Sequence, residues 1–220
     1  MPPRTAPPDL PPAAPVGRLH VVTDTGLQRR HSHADLARLA ALGGADTVQF
    51  RHKRGTARER WAALVPTAEA CRTAGVALVV DDHADLALAV AAGLHVGQSD
   101  LPVAVVRRLL GPGALVGATA ATADEARVAE AAGASYVGFG PVFGTASKAN
   151  PAPATGLDGL ARACAAVRIP VVAIGGITAA RVADVLAAGA HGVAVLSAVV
   201  CADDVVAAAA AFSEALERGR

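Results

Sequence analysis

The sequence predicts a single (β/α)8 barrel preceded by a disordered proline-rich arm, and three observations lead to it. One phrase recurs along the chain: an Ala-rich amphipathic stretch, then a small residue and Gly, then an apolar run. It appears as LGGADTVQF (42–50), TAGVALVV (73–80), AAGLHVG (91–97), AAGASYVGFG (131–140) and AAGAHGVAV (187–195). The Gly suits the left-handed residue after a helix's last turn, where a side chain is strained. The run after it is continuous Val, Ile, Leu and Ala, as expected of a parallel strand buried on both faces. Finally, the units number eight, and a closed barrel of about 250 residues is the usual home of eight strand–helix repeats. An open doubly wound sheet has no reason to stop there.

In chain order, residues 1–16 (MPPRTAPPDLPPAAPV) hold seven of the 14 prolines and no apolar periodicity, which predicts the arm. Residues 17–220 form the barrel domain, long enough for one large core and too short for two. Strands are predicted at 18–24, 46–51, 77–82, 94–98, 115–120, 136–142, 171–176 and 192–197. The helices between and after them fall near 33–43, 58–74, 84–92, 102–110, 122–132, 158–168, 179–188 and 203–218. Pro66 is expected to kink the second helix or split it in two.

Composition removes several classes of function. Net charge is +1 with no basic run, and aromatics are 3%, so neither the electrostatic face nor the stacking platforms of a nucleic-acid binder are present. No apolar run reaches the roughly 18 residues of a membrane span. The arm has no basic-then-apolar signal layout, so a cytoplasmic protein is expected. Cys71, Cys164 and Cys201 are far apart and in no metal or redox spacing, so they are read as buried small side chains. Small molecules remain as the expected partners. Self-association into a homo-oligomer is left open.

In this fold catalysis belongs to the C-terminal ends of the strands. Those ends carry Thr23-Asp24, Gln49-Arg51-Lys53, Asp81-Asp82, Gln98-Asp100, Thr119, Thr145-Ser147-Lys148, Gly175-Gly176 and Ser197. The strand starts have no comparable collection. Gly175-Gly176 ends strand seven and Leu196-Ser197 ends strand eight, the usual phosphate site of such barrels. A tight turn that simply needs Gly is the competing account. Asp82 and Asp100 top neighbouring strands, and two hard carboxylates suit a Mg²⁺ that keeps waters and takes a ligand's phosphates. N-capping of the helices that follow is the competing role. Arg51 and Lys53 share a side of the chain, alternating with Phe50 and His52. Lys148 lies in a long Gly/Ala/Pro-rich loop (144–156) of the kind that serves as a lid. Cations and a metal at one mouth suit a ligand with more charge than a monophosphate. Of the histidines, His31, His33 and His52 read as exposed loop residues, His95 and His191 as structural, and His83 alone as one to watch.

These residues in this order resemble the thiamine phosphate synthase family. The resemblance is carried by LHVVTD (19–24), QFRHK (49–53), VVDDHADLALA (79–89), LHVGQSDLP (94–102), GPVFGTASK (140–148), IPVVAIGGIT (169–178) and HGVAVLSA (191–198). It implies condensation of a hydroxymethylpyrimidine pyrophosphate with a thiazole phosphate alcohol. By that likeness Gln49 holds the aminopyrimidine, and Arg51, Lys53 and Lys148 hold the pyrophosphate and act in catalysis. Phe50, His52, Asp81 and Thr119 complete that subsite. Asp82 and Asp100 hold Mg²⁺. Thr145, Ala146, Ser147, Gly176, Leu196 and Ser197 take the thiazole phosphate.

The chain departs from the family pattern at four of these places. Asp81 stands where Asn is usual, Thr119 where Ser is, Gly144 where Pro is and Ser147 where Thr is. The sister thiazole tautomerases are the nearest rival. Their proton-shuttling His aligns with Ala121, which cannot move a proton, and they lack the segment present here as GQSD (97–100). A non-catalytic thiazole phosphate binder is a second rival, favoured by Asp81. Unrelated sugar-phosphate chemistry on the same barrel is a third, because a fold does not fix a function.

Overall fold

The computed structural model describes residues 15–144 and 153–219. Most of the predicted arm, together with Thr145, Ala146, Ser147 and Lys148, therefore lies outside the described residues.

Eight parallel strands close into a barrel in sequence order. They are β1 (Leu19–Thr23), β2 (Thr47–Phe50), β3 (Ala77–Asp81), β4 (Gly93–Val96), β5 (Val116–Ala120), β6 (Tyr136–Phe139), β7 (Val171–Ile174) and β8 (Gly192–Val195). Around them run α1 (His33–Leu42), α2 (Ala57–Ala74), α3 (Ala84–Ala89), α4 (Val103–Leu110), α5 (Ala123–Ala131), α6 (Gly156–Ala166), α7 (Val182–Ala187), α8 (Ser197–Val200) and α9 (Val205–Arg218). A short 3-10 turn, Ala179–Arg181, leads into α7. No helix of the described residues is long and apolar enough to cross a membrane.

The recurring phrase does what its chemistry suggests at four of five places. Gly44, Gly75, Gly133 and Gly189 all follow helices with positive φ, where a Cβ would be strained. At 91–93 the left-handed residue is Ala91 instead, with φ of 53°. Gly93 already belongs to β4, where a Cβ would lie 2.7 Å from the Leu115 carbonyl oxygen. α2 departs from expectation too: Pro66 does not divide it. Pro66 faces solvent, where water can satisfy the carbonyl that its missing N–H releases, and the Thr67 hydroxyl donates to Ala63 O at 2.7 Å. After β8 the chain starts α8 at Ser197, an element absent from the predicted pattern.

Side-chain alternation divides each strand between two environments. One set packs outward against helices; Leu19, Val21, Val137, Phe139, Val193 and Val195 belong to the largest such cluster. The other set fills the barrel, where Val79, Leu115, Tyr136, Val172 and Ala194 form one cluster. At the barrel floor, Arg18 donates to His191 O at 3.1 Å and Leu216 O at 3.0 Å, and Asp46 accepts the backbone N–H groups of Arg18 and Leu19. Val16, the last residue of the predicted arm, belongs to this floor: its carbonyl lies 2.9 Å from His191 Nε2.

That contact sets where truncation begins to hurt. Deleting residues 1–14 should leave the melting temperature unchanged. Deleting 1–17 also removes the carbonyl partners of His191 and His20. Each lost hydrogen bond is worth about 1 kcal/mol, so the second truncation should melt several degrees lower by calorimetry. Equal melting temperatures would sink this account of the floor.

Candidate active site

The charged side of the barrel mouth is built by β1, β2 and β3. Asp24, just past β1, accepts from Gly26 N–H at 2.7 Å through Oδ1 and pairs with Arg51 Nη1 through Oδ2. Arg51 Nε also lies 3.9 Å from Asp81 Oδ2. Lys53 Nζ sits 2.7 Å from the same Asp81 oxygen and bonds Asp82 Oδ2. Burial pulls the Lys53 ammonium down, but Asp81 and Asp82 outweigh it and hold its pKa above the ordinary value. Asp81 Oδ2 is buried and, despite its two cationic neighbours, has no well-angled donor among the described residues. Gln49 points inward beneath these charges. Its side chain is largely buried, and its backbone carbonyl accepts from the Thr23 hydroxyl.

Alternation corrects part of the expected pyrimidine subsite. Phe50 is buried on the outer side of the sheet, packed with Leu64 and Val80, and its side chain does not reach the mouth. His52 is turned the same way, onto Phe50 and His33. Only the backbone of these two residues belongs to the rim. His33, expected to be exposed, is buried there, with Thr23 Oγ1 2.7 Å from its Nδ1 and His52 Nδ1 3.2 Å from its Nε2. The Thr23 hydroxyl in turn donates to the Gln49 carbonyl at 3.2 Å, so this buried chain braces the end of β2.

The capping role weighed for Asp82 and Asp100 is not seen. The N-cap of α3 is His83 and that of α4 is Pro102, and neither helix has a side-chain cap. Asp82 instead adopts a left-handed backbone (φ 63°) while its N–H donates to His95 O. That conformation is uncommon outside Gly, though Asp tolerates it better than most. Asp100 accepts from Gly97 N–H at 2.7 Å, closing the GQSD turn. Among the described residues no group of three His, Cys, Asp or Glu side chains is placed to hold a metal ion by itself. Asp82 and Asp100 are hard carboxylates on adjacent strand tops and suit in chemistry a Mg²⁺ that draws its other ligands from water and phosphate, with one oxygen of each engaged here by Lys53 Nζ and the Gly97 N–H. On β5, Thr119 Oγ1 is held by His95 Nε2 at 2.9 Å, and its carbonyl accepts from Gln98 Nε2.

Across the mouth, Gly175 and Gly176 have φ of 101° and 62°. A Cβ on Gly175 would lie 2.6 Å from Pro141, and one on Gly176 would overlap Gly144 O. The turn thus needs Gly both for its backbone and for its contact with the loop after β6. A phosphate turn and a turn that needs Gly are therefore compatible accounts of this pair. Beside it, Leu196 caps α8 and Ser197 opens it at an exposed position, with Val199 and Val200 N–H groups turned onto Leu196 O.

Cys71 is buried and its thiol is pushed up to about 12 by burial; Cys164 is half-buried and raised to about 11. Cys201 departs from expectation and is exposed. Four residues that shape this mouth are not among the substrate or metal residues expected from the sequence: Asp24, His33, His95, which reads there as structural, and Tyr136. Only Asp24 gives a signal there, by its place at a strand end.

A closed barrel with acids and cations on β1–β3, facing a double-glycine turn after β7, defines a phosphate-ligand enzyme of the (β/α)8 class. The chain belongs to the thiamine monophosphate synthase family, whose model matches residues 19–199. It is 53% identical to the thiamine-phosphate synthase of Salinibacter ruber over 92% of this chain and 89% of that one. It is 51% identical to the thiamine-phosphate synthase of Methanoculleus marisnigri, covering 87% and 91%. Among solved structures, thiamine phosphate pyrophosphorylase from Pyrococcus furiosus superposes with a TM-score of 0.82 at 36% identity, covering 91% of this chain and 96% of that one. A 3-hexulose-6-phosphate synthase structure, at 22% identity and a TM-score of 0.65, shares the fold alone.

The buried imidazoles make stability depend on pH. Burial drives His20 down to about 4, against the pull of Asp46 and the Gly17 carbonyl; burial and then His52 bring His33 down to about 4, against Asp24. The unfolded chain takes up these protons near pH 6.5 and the folded chain only near 4, so unfolding binds protons between the two. Stability should therefore fall as pH drops from 6.5 to 4 by at most roughly 3 kcal/mol per imidazole, and level off below for these groups. Urea unfolding at pH 7 and pH 4.5 should show the fall, and His20→Gln with His33→Gln should flatten it. A slope that the double variant leaves intact would overturn the assignment.

Proposed function

We propose that this protein is a transferase that joins hydroxymethylpyrimidine pyrophosphate to a thiazole phosphate alcohol, giving thiamine phosphate and pyrophosphate. The carrying observation is the Arg51–Lys53–Asp81–Asp82 cluster at the mouth, opposite Gly175-Gly176 and Ser197. It sets a site for a polyanion across from a phosphate turn. The relatives' names agree.

The bond between the pyrimidine methylene and the pyrophosphate oxygen breaks, its electron pair leaving with pyrophosphate. The aminopyrimidine delocalises the positive methylene, and the thiazole nitrogen lone pair closes the new C–N bond. No protein nucleophile is needed. Gln49 orients the heterocycle with its side-chain amide. Arg51 and Lys53 turn from their carboxylate partners toward the pyrophosphate as charge grows on it. Lys148 joins them, and Thr145, Ala146, Ser147, Gly176, Leu196 and Ser197 take the thiazole phosphate. Asp82 and Asp100 are the residues to hold Mg²⁺, which when bound neutralises charge on the leaving pyrophosphate.

A non-catalytic thiazole phosphate binder is the second reading. It is favoured by Asp81, whose carboxylate already occupies both cations. Incubation with both substrates and Mg²⁺ should release pyrophosphate and form thiamine phosphate, and binding of thiazole phosphate without pyrophosphate release would decide for the binder. Removing one charge-assisted donor from such a site costs about 100- to 1,000-fold in turnover. Lys148→Ala should show that loss in kcat with thiazole phosphate affinity unchanged. In Asp100→Ala the Mg²⁺ concentration for half-maximal rate should rise at least about tenfold. Full wild-type turnover in excess EDTA would remove the metal.

A further inference from the structure

We infer that Arg54 and Arg58 hold a positive field over the entrance to the mouth, drawing the pyrimidine pyrophosphate toward Arg51 and Lys53 without touching it once bound. The inference rests on the reaction proposed above. It starts from a mismatch of charge. Among the described residues, the inner ring of the mouth sets Asp24, Asp81 and Asp82 against Arg51 and Lys53, a net of one negative charge, and Asp100 stands beside it. Both cations of that ring are already paired. Such a ring repels a polyanion at a distance, although it can bind one on contact. Attraction at a distance then falls to charges outside it.

Sequence and geometry put such charges beside the mouth. Residues 51–60 hold five of the chain's 20 Lys and Arg and a single acid, Glu59, in a protein of net charge +1. Glu59 is turned back onto the N–H and hydroxyl of Thr56 in the capping box of α2. Arg60 donates to His52 O at 3.0 Å and to Lys53 O at 3.5 Å, which fastens the first turns of α2 to the rim. Arg58 lies in the same stretch of α2, and Arg54 follows Lys53 directly. Both are exposed, and neither has a hydrogen bond or ion pair among the described residues. Exposed charges act on one another over a Debye length, about 10 Å at 0.1 M salt and longer in dilute salt. Arg58 is also at odds with its own helix. The positive end of the helix dipole disfavours a cation in the first turn, and Trp61 and Ala62, three and four residues on, offer no acid to offset it. A residue that opposes its local structure points to a role outside it.

The test compares the full chain with its double variant Arg54→Glu/Arg58→Glu. In dilute salt (~20 mM), calorimetry with inorganic pyrophosphate should give a Kd about tenfold weaker in the variant. KM for the pyrimidine pyrophosphate should rise by a similar factor, with kcat within about twofold. At ~0.5 M salt the two proteins should converge to within about twofold, because a field through solvent is screened far more than a contact. Arg54→Gln/Arg58→Gln should fall between them at low salt. KM for thiazole phosphate, whose proposed seat is across the mouth, should move less than KM for the pyrimidine pyrophosphate. The melting temperature should not fall, since an acid suits the start of α2 better than Arg58 does. Equal affinities at low salt would overturn the inference. A loss that persists at high salt would put the arginines in contact with the bound ligand and overturn it as well. A lower melting temperature with equal rises in both KM values would show a merely structural pair. A wild type that binds pyrophosphate without turning over would refute the proposed reaction, whereas the salt dependence of that binding would still decide this point.

Discussion

Pairing of β8 with β1 is the constraint on which the rest of the molecule depends. Three register partners make the joint, Leu19 with Val193, His20 with Ala194 and Val21 with Val195. Without it the sheet has two open edges, and the ends of β1 and β8 need not share a rim. With it, every side chain that leaves a strand top inward faces one mouth. The joint is held from below by groups far apart in sequence: Arg18 reaches the carbonyls of His191 and Leu216, and Asp46 takes the N–H groups that open β1. Those contacts satisfy backbone groups that barrel closure would otherwise leave buried and unpaired.

Closure then forces a charge problem at the mouth. Asp24, Arg51, Lys53, Asp81 and Asp82 come from three neighbouring strands and cannot avoid one another. Their alternation of sign is what makes burial tolerable, because an isolated charge there would lose its hydration without return. The arrangement also sets a condition on any ligand. A polyanion that takes Arg51 and Lys53 draws them from three carboxylates, and a cation arriving with it would balance the charge left behind. Asp81 sharpens this demand, since its Oδ2 is buried and poorly bonded even with both cations present.

The barrel is legible in the sequence because its signals are local. The left-handed glycine after α1, α2, α5 and α7 and the unbroken apolar run that follows it are read within ten residues, and all eight predicted strands overlap observed ones. α8 is not legible: Ser197 follows an apolar run and precedes another, so nothing marks a helix start there. The polar strand tops are legible as a set, but their side-chain directions only in part. Alternation puts Arg51 and Lys53 on one side, and the same rule puts Phe50 and His52 on the other, away from the ligand that family likeness gives them. His33 reads as exposed because its neighbours are polar, yet Thr23, ten positions earlier, and Phe50 enclose it. His95 stands 24 residues from Thr119 and 41 from Tyr136, and only strand register brings the three together.

That register also explains an interior unlike the branched aliphatic filling usual in such barrels. The single Tyr of the chain lies inside, with the His20 ring edge-on at 5.2 Å and His95 at 5.6 Å. A filling of rings needs room, which Gly117 and Gly138 supply, and it needs partners for each polar atom, which neighbouring strands supply. Aliphatic side chains would fill the same volume with no orientation to transmit. Rings linked by hydrogen bonds fix one another's orientation, here from Tyr136 through His95 to the Thr119 hydroxyl. Such a core costs stability at low pH, where the buried His20 must charge, and in return its polar atoms tie neighbouring strands together beneath the mouth.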